Sequence, residues 1–195
     1  MTASSAELRP AVSGSPRTAD PTGALHDSHS VMPLSIRQAE RHEIERLVPI
    51  LLLAEPSEPS LRWSLRHLSD AVYQAERDGQ VVGAATVRWD DEPCEIVELG
   101  IAPSEQGKGR GRAFVEWLLD EGRRRRKKAM IVGTRNSSIG NLAFYQKCGF
   151  RMDHVRADYF WYYDETPVEN GIPTRDLVVF RYDFNPSAPP RARRR

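Results

Sequence analysis

Cysteine is scarce in this sequence, long apolar runs are missing, and neither sign of charge is in excess. The only cysteines, Cys94 and Cys148, stand in no C-x-x-C or metal-ligand spacing, which argues against a structural metal and favours a reducing compartment. The longest apolar run, residues 49–54, is far short of the roughly 20 residues that a transmembrane helix needs. Lys and Arg number 28 against 27 for Asp and Glu, so the overall charge argues against a nucleic-acid partner, and no membrane partner is expected.

The two ends of the sequence differ in composition from its middle. Residues 1–33 are rich in Ser, Ala, Thr, Pro and Gly and lack the hydrophobic segment of a secretory signal, so we expect a disordered leader and a cytoplasmic protein. Residues 185–195 form a Pro- and Arg-rich tail that is also predicted to be disordered. The remaining residues, 34–184, are long enough for one domain with one hydrophobic core.

The spacing of apolar residues in the middle of the chain predicts alternating strands and helices. The predicted strands cover residues 34–37, 72–76, 81–89, 95–102, 129–134, 150–155 and 177–184. The predicted helices cover residues 43–53, 60–68, 113–126 and 141–147. Two successive strand-loop-helix units imply parallel pairing, and the last two strands are expected to pair antiparallel. The fold class is therefore α/β (α+β), a mixed twisted sheet of about six or seven strands flanked by about four helices.

A glycine-rich loop joins the strand at 95–102 to the helix predicted from Ala113. Its glycines allow the backbone to turn tightly and to approach a ligand closely. The first amides of the following helix, together with Lys108, Arg110 and Arg112, are suited to a phosphate or pyrophosphate group. The loop therefore predicts an anion site.

Two common phosphate loops do not fit this stretch. A P-loop requires Ser or Thr after its Gly-Lys pair, and Gly109 follows Lys108. The dinucleotide fingerprint G-x-G-x-x-G fails because Arg112 or Phe114 takes the place of the third glycine, depending on the register.

What remains is the pattern Gln106-x-x-Gly109-x-Gly111, which resembles the acyl-CoA pyrophosphate loop of the GCN5-related N-acetyltransferases (GNAT superfamily). About forty residues later, the run from Phe144 to Phe150 resembles that superfamily's pattern of an aromatic, Tyr, two residues, a hydrophobe or Cys, Gly and Phe. The resemblance covers about residues 34–184. It implies a single N-acetyltransferase domain in which a primary amine directly attacks acetyl-CoA, the co-substrate, in a ternary complex without a metal.

The resemblance also implies catalytic roles. Tyr145 would donate a proton to the departing CoA thiolate, and Glu95 or Glu98 would accept the proton of the amine. Because these two carboxylates have opposite strand parity, only one of them can face the cleft unless the strand is bulged. Glu95 is preferred because it lies at the spacing before Gln106 where several family members carry a catalytic Glu.

The same resemblance implies which residues bind CoA. The superfamily often has an Asn seven residues before the Tyr; that position is Ser138 here, so Asn136 and Asn141 are alternatives to it. The other implied CoA-binding residues are Leu99, Ile101, Ala102, Gln106, Gly107, Lys108, Gly109, Arg110, Gly111, Arg112 and Lys147.

The acceptor amine, a small molecule or a protein amine, stays open. In the segment 54–72, Trp63, Arg66 and His67 either touch the acceptor or are a packed aromatic residue with solvated charges. The aromatic residues of segment 158–165 either line the acceptor site or pack on the sheet. The oligomeric state, monomer or homodimer, also stays open. Alternative functions are a non-catalytic acyl-CoA-binding regulatory module, and nucleic-acid binding through the basic run 123–128 and the C-terminal arginines.

Overall fold

A seven-stranded sheet organises the part of the chain that the computed structural model describes, residues 34–185. The predictions for the leader and for the tail from residue 186 lie outside these residues. The sheet strands are β1 (Ser35–Gln38), β2 (Ala71–Arg77), β3 (Gln80–Arg88), β4 (Cys94–Ile101), β5 (Ala129–Arg135), β6 (Arg151–Arg156) and β9 (Leu177–Asp183), and a separate pair is formed by β7 (Val168–Glu169) and β8 (Ile172–Pro173). The helices are α1 (Ile44–Leu51), α2 (Glu58–His67), α3 (Arg110–Arg124) and α4 (Ile139–Lys147).

The order of the strands in the sheet is β1-β2-β3-β4-β5-β9-β6. Strands β4 and β5 pair parallel, whereas the other neighbours in this sheet pair antiparallel. The parallel pair is the one joined by a helix, α3, because a parallel connection needs a crossover of that length. The predicted mixed sheet, with its number of strands and helices, is confirmed.

Short connections follow the sequence closely. The hairpin of β2 and β3 turns at Asp78 and Gly79, which both adopt positive φ, 51° and 73°, as a two-residue hairpin loop with matching twist requires. Helix α1 contains Pro49 in its last turn and ends two residues later. A short 3₁₀ turn at Arg41–Glu43 precedes α1.

Hydrophobic side chains cover both faces of the sheet. On one face, Phe114, Val115 and Leu118 of α3 are fully buried against strand residues such as Ile96. On the other face, Leu47, Leu51 and Leu61 of α1 and α2 form a second cluster. Each such side chain stabilises the fold by roughly 1.5–3 kcal/mol relative to an exposed one.

The predicted starts of three helices lie two or three residues too late, including that of α2, which begins at Glu58 rather than at residue 60. Helix α3 begins at Arg110, three residues before Ala113, because Gly109 already acts as its N-cap with φ 77°. Helix α4 begins at Ile139 rather than at residue 141. The connection between the last two sheet strands contains the hairpin β7–β8, which is not among the predicted strands. We call residues 164–176, which include this hairpin, the arm.

Candidate active site

Strands β4 and β5 are neighbours for only part of their length. Their pairing is limited, within the described residues, to Cys94–Ile96 against Met130–Val132, although β4 continues to Ile101 and β5 to Arg135. A cleft of about 1260 Å³ opens where the two strands separate, and it is lined by Val97–Ile101 of β4. Backbone groups of β4 that face the cleft are therefore available to an extended ligand, as at a sheet edge.

A bulge in β4 places two carboxylates in this cleft. Thr86 of β3 lies opposite Glu98, whereas the next residue, Val87, lies opposite Ile96, so Val97 has no partner in β3. The extra residue reverses the side-chain alternation at this point. Glu95 and Glu98 consequently both line the cleft, and the parity argument that allowed only one of them does not apply.

Glu98 is the more deeply buried of the two, with 6% of its surface exposed. Ser64 of α2 donates a hydrogen bond from Oγ to Glu98 Oε1 at 2.5 Å, and Thr86 Oγ1 donates to Glu98 Oε2. Burial, which disfavours the charged form, raises the pKa of Glu98 to about 7, and the nearby negative charges of Glu55 and Glu95 act in the same direction.

Glu95 is held differently, by an ion pair. Arg88 NH2 donates to Glu95 Oε2 at 2.5 Å. Burial raises the pKa of Glu95, while the positive charges of Arg88 and Arg156 oppose that rise. A carboxylate paired in this way is less available as a proton acceptor than Glu98.

Tyr145 lies in α4, where its ring packs against Phe144, Phe150 and Phe180 and its surface is 7% exposed. Its hydroxyl makes no side-chain hydrogen bond to any residue in the range 34–185, and the residue lines the cleft. Burial raises the pKa of Tyr145, so the phenol stays protonated near neutral pH. It can therefore act as a proton donor.

The predicted pyrophosphate loop lies at one end of the cleft. Gly107 and Gly109 have φ of 72° and 77°, a region that favours glycine, and Gly109 caps α3. Ala113 N donates to Gly109 O, so the earlier N–H groups of the helix, at Arg110, Gly111 and Arg112, have no partner inside the helix. Such unpartnered amides at the start of a helix, together with the helix dipole, are suited to an anion. Within the loop, Gln106 Nε2 donates to Ile101 O at 2.9 Å.

Glu105 organises this loop and was not predicted. Its carboxylate accepts hydrogen bonds from Lys108 Nζ at 2.9 Å, from Arg110 Nε at 3.0 Å and from Arg77 NH1 at 3.3 Å. The hydrogen bond from Lys108, followed by that from Arg110, holds the pKa of Glu105 well below its usual range. The spacing of Glu105 and Lys108, three residues apart in a turn, was the available sequence signal.

The structure brings most of the predicted CoA-binding residues to the cleft. Those that line it are Leu99, Ile101, Gln106, Gly107, Gly109, Arg110, Gly111, Arg112, Ser138 and Asn141. Those that are not among its lining residues are Ala102, Lys108, Asn136 and Lys147.

Asn136 and Ser138 attach the arm to the N-terminal end of α4. Asn136 donates from Nδ2 to Pro173 O at 3.0 Å and accepts from the backbone N–H groups of Arg175 and Asp176. Ser138 Oγ donates to Glu169 Oε2 at 2.5 Å. Asn141, by contrast, is exposed, and its side chain makes no hydrogen bond to a residue between 34 and 185.

Aromatic side chains surround the other end of the cleft, which we call the acceptor end and define by Trp63, Glu95, Glu98, Arg156 and Tyr159. Trp63 is 54% exposed there, whereas its predicted companions Arg66 and His67 are not among the lining residues. Four aromatic residues of the segment 158–165 line the cleft, namely Tyr159, Phe160, Trp161 and Tyr162, whereas Tyr163 does not. Phe160 also packs on the sheet, where it is buried against Ile131, Leu177 and Val179.

The basic run 123–128 is largely occupied by local partners. Arg123 pairs with Asp120 at 2.6 Å, and Arg124 and Arg125 both pair with Glu121 at 2.7 Å. The Arg125 guanidinium also lies 4.8 Å from the centre of the Trp89 ring. These contacts favour a solvated, charge-paired helix end over a nucleic-acid surface.

In the range 34–185, no group of three or more His, Cys, Asp or Glu side chains is arranged to hold a metal ion. Among the helices described, none combines the length and apolar character that crossing a bilayer requires.

Comparisons with known proteins agree with this geometry. The sequence model of the Acetyltransferase (GNAT) family matches residues 37–150. The uncharacterized N-acetyltransferase YvbK of Bacillus subtilis is 34% identical over 142 residues, which cover 72% of this chain and 90% of that protein. A Bacillus subtilis acetyltransferase solved in complex with CoA is 32% identical with a TM-score of 0.71 and covers 78% of this chain and 100% of that one. A GNAT family acetyltransferase from Elizabethkingia anophelis with acetyl-CoA bound is 28% identical with a TM-score of 0.69, over 77% of this chain and 97% of that one.

The chain belongs to the acetyltransferase (GNAT) family. It is an acyltransferase with acetyl-CoA as its co-substrate, which removes the non-catalytic module from the alternatives.

Proposed function

We propose that the protein transfers the acetyl group of acetyl-CoA to a primary amine by direct attack in a ternary complex, with Glu98 as general base and Tyr145 as general acid. The observation that carries this proposal is the buried carboxylate of Glu98, with a pKa of about 7, in the same cleft as the pyrophosphate loop. A base works best when its pKa lies near the operating pH.

The coenzyme is proposed to lie along the gap between β4 and β5. The amides of Arg110, Gly111 and Arg112 would bind the pyrophosphate, and the separated stretch of β4, residues 97–101, would bind the pantetheine arm and the thioester carbonyl. Asn141 is the best placed of the three candidates at the start of α4, because the side chains of Asn136 and Ser138 are engaged by the arm.

The reaction then needs two proton transfers. The amine nitrogen attacks the carbonyl carbon of the thioester and gives a proton to Glu98. The C–S bond breaks, and the departing thiolate takes the Tyr145 proton. Glu98 replaces Glu95 as the preferred base, because the positive charge of Arg88 stabilises the charged form of Glu95 and so lowers its affinity for a proton.

A steady-state assay of free CoA tests this proposal. We expect thiol release that depends on both acetyl-CoA and a primary amine, intersecting initial-rate lines when both are varied, and an acetylated amine in the mass spectrum. Parallel lines with an acetylated protein would indicate a covalent intermediate and contradict direct attack. We also propose that the protein is cytoplasmic, as its sequence predicts.

A further inference from the structure

The carboxylates at the acceptor end already have hydrogen-bond partners. Glu55 accepts from Tyr163 OH at 2.9 Å and from Tyr162 OH at 3.2 Å. Glu95 is paired with Arg88, and Glu98 accepts from Ser64 and Thr86. Because these acidic groups are satisfied within the protein, they do not by themselves call for a polycationic acceptor.

The guanidinium of Arg156 is not satisfied in this way. Arg156 lines the cleft and is half-buried, yet its side chain makes no hydrogen bond or ion pair with any residue from 34 to 185. It lies close enough to Glu95 to lower the pKa of that carboxyl, but beyond ion-pair distance. The hydroxyl of Tyr159, another lining residue, likewise has no partner in that range.

Arg135, a neighbouring arginine in the sheet, has the side-chain contacts expected of a structural residue. Leu177 of β9 pairs with Arg135 on one side and with Arg156 on the other, so both arginines lie at the same level of the sheet. Arg135 donates to Ala54 O at 3.2 Å and lies 5.9 Å from the Phe160 ring. Arg156 has no such contacts, although both side chains reach the same cleft.

A partly buried guanidinium with unused donors is matched best by a carboxylate, which it can bind through two parallel hydrogen bonds. We propose that the acceptor is an aminocarboxylate of the amino-acid class, whose amine lies at Glu98 and whose carboxylate binds Arg156 and the Tyr159 hydroxyl. This inference rests on the proposed function and adds the acceptor class to it.

Pairs of acceptors that differ only in the α-carboxylate test the inference. Phenylalanine, leucine and lysine are each compared with the amine that results from removing the α-carboxylate, in the free-CoA assay with wild type. We expect kcat/KM to be higher for the aminocarboxylate by about tenfold or more, as a charge-assisted contact allows. In R156Q, KM for the aminocarboxylate should rise by about the same factor with little change in kcat, while the paired amine is unaffected.

R151Q is the matched control, since Arg151 lies on the same strand and outside the cleft lining. It removes the same charge and should leave both members of each pair unchanged. Preference of wild type for the amines without a carboxylate, an unchanged preference in R156Q, or binding of acetyl-CoA without turnover of any aminocarboxylate would each overturn the inference. Failure of the proposed function is distinguishable, because it would show as no amine-dependent thiol release with any acceptor.

Discussion

Burial changes the chemistry of one carboxylate in the cleft more than that of the others. Glu98 is almost completely covered, and its pKa is raised to about 7 because the charged form loses its hydration. A general base must be deprotonated to act, so kcat, measured with saturating acceptor, should increase as the pH rises through about 7 and level off above it. The rise depends on the folded structure, because it is the burial of Glu98 that raises its pKa.

The variant E98Q should lose that part of the pH profile. At pH 8, where the wild-type carboxylate is ionised, kcat should fall by about 100-fold or more, the usual contribution of a general base. E95Q is the comparison: it should keep an inflection, moved to lower pH because the Glu95 charge that helps to raise the pKa of Glu98 is gone. If the inflection disappears in E95Q and remains in E98Q, Glu95 is the base.

Tyr145 offers a second test at the level of a single group. Y145F removes the hydroxyl and keeps the ring that packs on Phe150 and Phe180. We expect kcat to fall by about 100-fold, because the thiolate leaves without a proton, with the affinity for acetyl-CoA unchanged. Y182F is the matched control, since the Tyr182 hydroxyl bonds to Arg123 and the residue is not in the cleft lining. An unchanged kcat in Y145F would remove Tyr145 from the mechanism.

Among the elements, the region where β5 leads into α4 holds two asparagines with different surroundings. Asn136 makes three hydrogen bonds that attach the arm, whereas Asn141 is exposed at the cleft. N136A should lower the free energy of unfolding by about 2–3 kcal/mol, since it leaves backbone groups of the arm without partners, and should change acetyl-CoA affinity little.

N141A should do the reverse. Its free energy of unfolding should stay within about 0.5 kcal/mol of wild type, as for an exposed substitution, while acetyl-CoA binding weakens by about fivefold to tenfold, the value of one hydrogen bond. Chemical denaturation and calorimetric titration of both variants measure the two effects. The opposite pattern would make Asn136 the coenzyme contact.

The elements and their connections differ in how far the sequence could predict them. The strand-loop-helix order around Gly109 and the Asp78-Gly79 hairpin were accessible, because local spacing and turn chemistry determine them. The bulge at Val97 was not, since it depends on how β4 pairs with β3 and no residue type marks it. The hydrogen bonds of Asn136 to the arm were hidden for a similar reason, because they join residues nearly forty positions apart.

At the scale of the whole molecule, the cleft is assembled from distant parts of the chain. Helix α2 contributes Trp63 and Ser64, and strand β4 contributes the two carboxylates. Helix α3 contributes its first residues, α4 contributes Tyr145, and the segment after β6 contributes aromatic side chains. The separation of β4 from β5 brings these parts to one opening, because the loop at the start of α3 and the acceptor end both border it. We expect the coenzyme to bind at that opening.

Calorimetric titration of acetyl-CoA into wild type, G109E and G171E measures whether the coenzyme binds there. Gly109 and Gly171 both have positive φ, 77° and 75°, and both face open space, so the two variants carry the same charge and similar backbone strain. Of these two glycines, Gly109 lines the cleft and Gly171 does not. We predict one saturable site in wild type and G171E, and binding about 100-fold weaker or more in G109E, where the carboxylate meets the pyrophosphate. Equal affinity in G109E and wild type, or no binding by wild type, would contradict the account.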